Sequence, residues 1–330
     1  MKEEDINCLI LTEEANITWA LGKEIFGYVF ITQDSISIIA SNAHRHQLED
    51  YDAEFAISRD EYVDLLEEKS EDHSGKVKTD KESDKLEEIF EAEATDIIQD
   101  LRKIKTNQEI ENIKKACKIT SQALANVKKR LFEGINEFEA VANITSYYAE
   151  RGVQDAFLTN GGMSLVNANC LTAHAELRER KIQTRDLVIV DSGCRVNNYC
   201  SDVTRTYSQN PSEENKKLFQ DVKEIQEKIL EEIEAGKQIT ELVELRDKLA
   251  EEKGYDPTEN ILYSLGHSLG IEVHEKPSLN RSAEGKLGEN MVIAVEPGIH
   301  VPGIGGVRIE DTVLVKENSC EILSSAPKNL

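Results

Sequence analysis

The sequence predicts an α+β chain of two domains: a small α/β domain, then a larger one in which two helices and a group of strands occur twice. Three observations carry this. The chain has 330 residues, longer than one domain of ordinary size. Near Lys105-Thr106-Asn107, short alternating segments give way to long helical periodicity. Beyond that point the order helix, helix, strands runs through once up to residue 208 and again up to residue 316. The predicted boundary falls between 1–105 and 106–330.

In the first domain, residues 6–11 predict a strand. Residues 27–32 and 35–40 predict a hairpin across Gln33-Asp34, and the polar residues 71–76 a loop. In the second domain, Ile110, Ile113, Cys117, Leu124 and Val127 mark one face of a helix that Gly134 should stop. A helix follows over 137–151, ending at Gly152, and strands fill 157–208. Ser212 is the expected N-cap of a helix reaching 235, closed by Gly236. Thr240 is the expected cap of another, closed by Gly254. Strands then fill 261–316, notably 291–295 and 307–315.

The 63 acidic and 39 basic residues give a net charge of −24. Such a field repels nucleic acid and anionic membrane surfaces, and neither is expected as a partner. No apolar run approaches the roughly 18 residues of a membrane span. The acidic N-terminus lacks an apolar leader pattern, so a cytoplasmic protein is expected. The six cysteines are scattered without a C-x-x-C, which fits reduced structural thiols rather than a disulfide framework or zinc knuckle. His44, His46 and His73 lack ligand-like spacing and read as surface or packing residues.

The chemistry centres on residues 191–202, D-S-G-C-R-V-N-N-Y-C-S-D. The apolar run 187–190 precedes this stretch and the strand-like 203–207 follows it, with Gly193 and Asn197-Asn198 as turn residues. A lone buried carboxylate costs several kcal/mol or more, roughly. Two that converge repel unless a cation lies between them. The second half holds three further segments: G-H-S-L-G-I-E-V-H-E-K-P at 266–277, V-E-P-G at 295–298 and G-V-R-I-E-D at 306–311. Taken singly, a histidine is more often a packed residue than a ligand, and a strand-end carboxylate more often a solvated one. Taken together, Asp191, Asp202, His267, Glu296 and Glu310 supply four carboxylates and one imidazole. Glu296 ends an apolar strand, as Asp191 does, and Glu310 is expected inside one. This donor set suits Mn²⁺ or Co²⁺, with Fe²⁺ and Zn²⁺ also within reach. Four carboxylates exceed the charge of one divalent ion, so two divalent metal ions are expected, about 3.5–4 Å apart as in other two-metal hydrolases.

On these motifs the chain resembles the pita-bread metallopeptidases, and within them the Xaa-Pro dipeptidases (prolidases) and aminopeptidase P. The resemblance spans residues 106–316 and is looser over N-I-T-W-A-L-G at 16–22 and the hairpin, where it implies a creatinase-like domain. All five family metal positions carry the expected residue. The resemblance also implies that His174 and His274 bind the substrate's carbonyl or carboxylate and the developing oxyanion. It implies that Arg308 orients the site or the carboxylate, and that Glu296 doubles as proton shuttle. His300 receives no role. Ser268-Leu269, Arg185-Asp186 and Asn198-Tyr199 depart from the family pattern at loop positions without removing a ligand.

The implied activity is dinuclear metal-dependent hydrolysis of the bond preceding proline, with short proline-containing peptides as substrates and a homodimer as the working form. Xaa-Pro dipeptidase is preferred to an aminopeptidase P, because Tyr263 stands four residues before His267 where aminopeptidase P tends to carry a histidine. Methionine aminopeptidases and metal-free creatinase-like hydrolases fit the motifs less well. A non-catalytic module of the same fold, binding a basic partner such as a histone through the acidic surface, is the alternative from another class.

Overall fold

In the computed structural model, which describes residues 4–73, 75–157, 164–172 and 175–330, the chain falls into two units, Met1–Arg102 and Lys103–Leu330. Alternation builds the first. Its strands are Cys8–Leu11 (β1), Gly27–Ile31 (β2), Ile36–Ser41 (β3), Asp52–Ala56 (β4), Val77–Thr79 (β5) and Glu93–Ala94 (β6), in one sheet ordered β4-β3-β2-β1-β5-β6. Leu9, Leu11, Val29 and Ile38 face one side, with Ile17 and Leu21 of helix Glu14–Leu21 (α1). Ile10, Phe30 and Ile39 face the other, with Leu66 of Arg59–Asp72 (α2) and Leu86 and Phe90 of Asp84–Phe90 (α3). This is the period of two expected of strands buried on both faces. The chain's lone tryptophan, Trp19, packs half-buried on α1 against the first of these cores. Ile97–Lys103 (α4) adds Ile98 to the same core. The expected hairpin is the β2–β3 pair, with Ile31 opposite Ile36. Glu71 and Asp72, expected in a loop, instead complete α2, which the Ser58 hydroxyl caps at its other end.

The second unit repeats one plan. Asn107–Lys128 (α5) and Glu137–Ala149 (α6) each begin with a capping box, Thr106 with Glu109 and Asn136 with Glu139. Strands follow at Gln154–Asp155 (β7), Leu165–Ala168 (β8), Val188–Ser192 (β9), Cys194–Val196 (β10), Tyr199–Cys200 (β11) and Val203–Tyr207 (β12). Then come Glu213–Glu231 (α7), capped by Ser212 as expected, and Ile239–Glu252 (α8). The closing strands are Gly266–Ser268 (β13), Glu275–Leu279 (β14), Val292–Val295 (β15), Gly298–Val301 (β16), Gly305–Arg308 (β17), Asp311–Lys316 (β18) and Ser319–Ile322 (β19). The larger sheets run β12-β9-β8 and β14-β13-β15-β18-β19. The first packs its apolar face on α5 and α6, and the second on α7 and α8.

Several local expectations change, among them the end of α7, which stops at Glu231 rather than reaching 235. Helix α5 ends at Lys128, because residues 129–134 close as successive turns before Gly134 takes its left-handed φ of 88°. Thr240 lies inside α8 and the N-cap is Gln238, since Gly236 donates to Leu287 O, Leu287 donates to Lys237 O and Gln238 bridges Lys286. These contacts hold the chain extended up to that point. Gly193 does not make a turn: a Cβ there would lie 2.0 Å from Ser201 O, so the close approach of the crossing chain demands the glycine.

Candidate metal centre and active site

Strands β9 and β12 run antiparallel with Asp191 opposite Thr204, and Asp202 directly precedes β12. Asn197 and Asn198, at φ of 48° and 71°, reverse the chain between β10 and β11. In the second half, His267 of β13 lies opposite Ala294 of β15 and Ser278 of β14. Glu296 follows β15, where Pro297 prevents the ladder from continuing. Glu310, expected within a strand, lies in the break between β17 and β18. β17 pairs with β16 while β18 pairs with β15, so the chain changes sheets at Ile309-Glu310. The amide of Glu310 donates instead to Thr204 O at 3.1 Å.

These side chains converge. Ligand-type atoms of Asp191, Asp202 and Glu310 lie within 4.8 Å of one another, as do those of His267, Glu296 and Glu310, and those of Asp202, His267 and His274. His267 Nε2 is 3.6 Å from Asp202 Oδ2 and 3.6 Å from Glu296 Oε1. Its Nδ1 lies 3.1 Å from Ser268 O, which orients the ring. The His274 ring is exposed, 4.2 Å from the His267 ring by centroids. Arg308 Nη2 bonds Asp191 Oδ2, and Nη1 lies 4.0 Å from Glu296 Oε2. Arg308 Nε donates to Thr204 Oγ1 at 3.2 Å, and that hydroxyl donates to Glu310 Oε2 at 2.6 Å. His174 lies outside the described residues.

Burial raises the carboxyls of Asp202 and Glu310 well above their ordinary range, and their acidic neighbours push the same way. Burial lifts Glu296 to about 7, against the pull of Arg308. It lowers His267 to about 4, helped by His274. The protein alone thus resists ionising Asp202, Glu296, Glu310 and His267. Asp191 Oδ1 and Asp202 Oδ1 are buried without a hydrogen-bond partner among the described residues. A divalent cation would reverse both conditions: it favours ionised carboxylates and a neutral imidazole, and it takes up oxygens that no donor reaches. The donor set therefore fits divalent ions.

The site opens into a cavity of about 550 Å³, whose wall also includes Phe157, Leu165, Tyr263, Ser264, Lys276 and Ser278. Tyr263 lies under the Arg308 guanidinium, 5.3 Å from Cζ to ring centroid, and its hydroxyl is 3.4 Å from His300 Nε2. Sequence reasoning missed Thr204 and Gln226. The Gln226 amide donates to Val295 O and Ile309 O, both at 3.1 Å, each just ahead of a converging glutamate. Its signal was readable: a polar residue beside Val222, Ile225 and Ile229 on the apolar face of α7.

A pita-bread fold whose cavity gathers four carboxylates and an imidazole fits a metallopeptidase. The chain belongs to metallopeptidase family M24, whose profile matches residues 111–317. A Xaa-Pro dipeptidase of Pyrococcus furiosus is 36% identical over 240 residues, 71% of this chain and 67% of that one. The prolidase of Pyrococcus horikoshii superposes with a TM-score of 0.89 at 29% identity, covering 100% of this chain and 97% of its own. An X-Pro aminopeptidase of Thermotoga maritima reaches 0.87 at 27%, covering 98% and 97%.

Proposed function

We propose that this peptidase hydrolyses the bond preceding proline in dipeptides, as a Xaa-Pro dipeptidase. The observation that carries the reading is the convergence of four carboxylates and His267 in one cavity, in a chain whose relatives include proteins named Xaa-Pro dipeptidase. Asp191, Asp202, His267, Glu296 and Glu310 would hold two divalent ions, with manganese or cobalt best suited to so oxygen-rich a set. When bound, such ions supply Lewis acidity and make hydroxide available near neutral pH.

The chain's own residues do the rest. Glu296 takes the proton of the attacking water and returns it to the leaving nitrogen. That nitrogen belongs to a tertiary amide and must be protonated as it departs. An X-Pro bond offers no N–H to grip, so recognition falls on its carbonyl and on the ends of the peptide. His274, at the exposed edge of the cavity, donates to the developing oxyanion, and His174 is assigned a matching role at the carbonyl or carboxylate. Arg308 orients Asp191 and Glu296. Replacing His274 by Ala should lower the rate by about 10² while metal content stays parental, as for a lost oxyanion donor. Normal turnover in that variant would discard its role.

The T. maritima likeness favours a second reading, an X-Pro aminopeptidase. After chelation and addition of Mn²⁺ or Co²⁺, release of proline from Ala-Pro but no cleavage of Ala-Pro-Ala supports the dipeptidase, and cleavage of the tripeptide supports the aminopeptidase. No metal-dependent cleavage of either by folded protein would sink both and favour a binding module. The reading includes a cytoplasmic homodimer, checked by cell fractionation and light scattering. Among the described residues, no helix is long and apolar enough to cross a membrane.

A further inference from the structure

A lysine and a glutamate 170 positions apart in sequence meet next to the residues that carry the two imidazoles. Lys105 Nζ is 3.1 Å from Glu275 Oε2, with side chains only 1% and 5% exposed. The same ammonium lies 3.5 Å from Ser268 Oγ. Ser268 follows His267, and Glu275 follows His274. One cation therefore contacts the sequence neighbours of both rings. The backbone of Lys105 is itself fixed, since its amide donates to Asn290 O at 3.0 Å, next to β15.

The strand ladder does not set the distance between these rings. His267 faces Ser278, whereas Ser268 faces Glu275, so the β13–β14 register shifts just where His274 enters. The loop 269–274 closes instead around the Glu275 carboxylate, whose Oε1 accepts from the Glu272 amide at 3.3 Å. The loop leaves room for it through Gly270, where a Cβ would lie 2.8 Å from both carboxylate oxygens. A buried ion pair adds little stability over an apolar pair of the same shape. Its value here is in where it puts the loop.

We infer that Lys105 is a positioning residue: through Glu275 and Ser268 it fixes His274 against His267. The effect on turnover rests on the function proposed above; the effect on the loop does not. In Lys105→Met/Glu275→Gln both charges go and the shapes stay. This variant should keep the parental circular dichroism and metal content. Amides of 269–275 should exchange with deuterium about 10-fold faster or more, because the loop opens locally. For Ala-Pro, kcat should fall about 10-fold or more with KM unchanged, as for a displaced catalytic group. In a His274→Ala background the same pair of changes should cost no further kcat, since both act through one ring.

Parental exchange in 269–275, or losses that simply multiply in the His274→Ala background, would overturn the inference. Should the double variant fail to fold, Gly270→Ala carries the same test, because it displaces the carboxylate while keeping both charges. If the parent itself releases no proline, the proposed function fails, and the exchange measurement still decides the role of Lys105.

Discussion

The two halves of the second unit secure their acidic residues by different means. In the first half a chain of hydroxyls backs them. Tyr148 OH meets Ser192 Oγ at 2.5 Å and Thr120 Oγ1 at 3.3 Å, and Thr120 meets Ser201 at 2.9 Å. Ser192 and Ser201 are the sequence neighbours of Asp191 and Asp202. In the second half one amide, Gln226, holds the carbonyls just before Glu296 and Glu310 within an apolar core. From the helices behind the strands, the support comes through several linked hydroxyls on one side and through one amide on the other. A duplicated plan thus preserves the geometry of a site without preserving the contacts that enforce it.

The largest expected effect treats the halves alike. Asp202→Ala and Glu310→Ala, one from each, should each abolish metal-dependent hydrolysis and reduce metal content measured by atomic emission. Parental cleavage of Ala-Pro by either variant would remove that residue from the set.

The next effect separates the halves. Glu296, lifted from 4.5 to about 7, keeps its proton in the metal-free fold where the unfolded chain has lost it. Its contribution is present in full below about pH 4.5 and is lost as pH rises through about 7, a change on the order of 3 kcal/mol. Asp202 and Glu310 act in the same direction, so among the five gathered residues the second half holds two such groups and the first half one; Asp155 of the first half, outside this set, is raised by burial as well. In EDTA, the urea midpoint of the parent should fall from pH 5 to pH 8, and Glu296→Gln should flatten that fall. Equal slopes would refute the assignment. Added Mn²⁺ should reduce the slope in the parent, because the ion favours the ionised form.

The smallest effects test redundancy directly. Gln226→Leu removes a donor from two buried carbonyls and should cost about 2–3 kcal/mol. Tyr148→Phe should cost about 1 kcal/mol, because Ser192 keeps Ser164 at 2.8 Å and Thr120 keeps Ser201. Urea melts of both variants suffice, and a larger loss for Tyr148→Phe would invert the comparison.

What the sequence made legible follows the same division. Asp191 and Glu296 stand out because an acidic side chain ends an apolar run, and Ser212 because a hydroxyl precedes a helical period. These are local signals. The break at Glu310 was hidden because Ile309 and Val313 continue a strand-like pattern across the change of sheets. Gly193 resembled a turn residue, yet its cause is Ser201 O, brought there by folding. Thr204 and Lys105 carry no local mark. Their roles arise from partners more than 100 positions away, at Glu310 and Glu275.

Trp19 gives the molecule an unequal optical signature. Indole emission arises only in the smaller unit, so fluorescence reports on that unit, while far-ultraviolet ellipticity is dominated by the helices of the larger one. A chelator titration followed by both signals therefore resolves, in one cuvette, which unit feels the loss of the ions. Emission that holds steady while ellipticity changes would localise the response to the larger unit without any label.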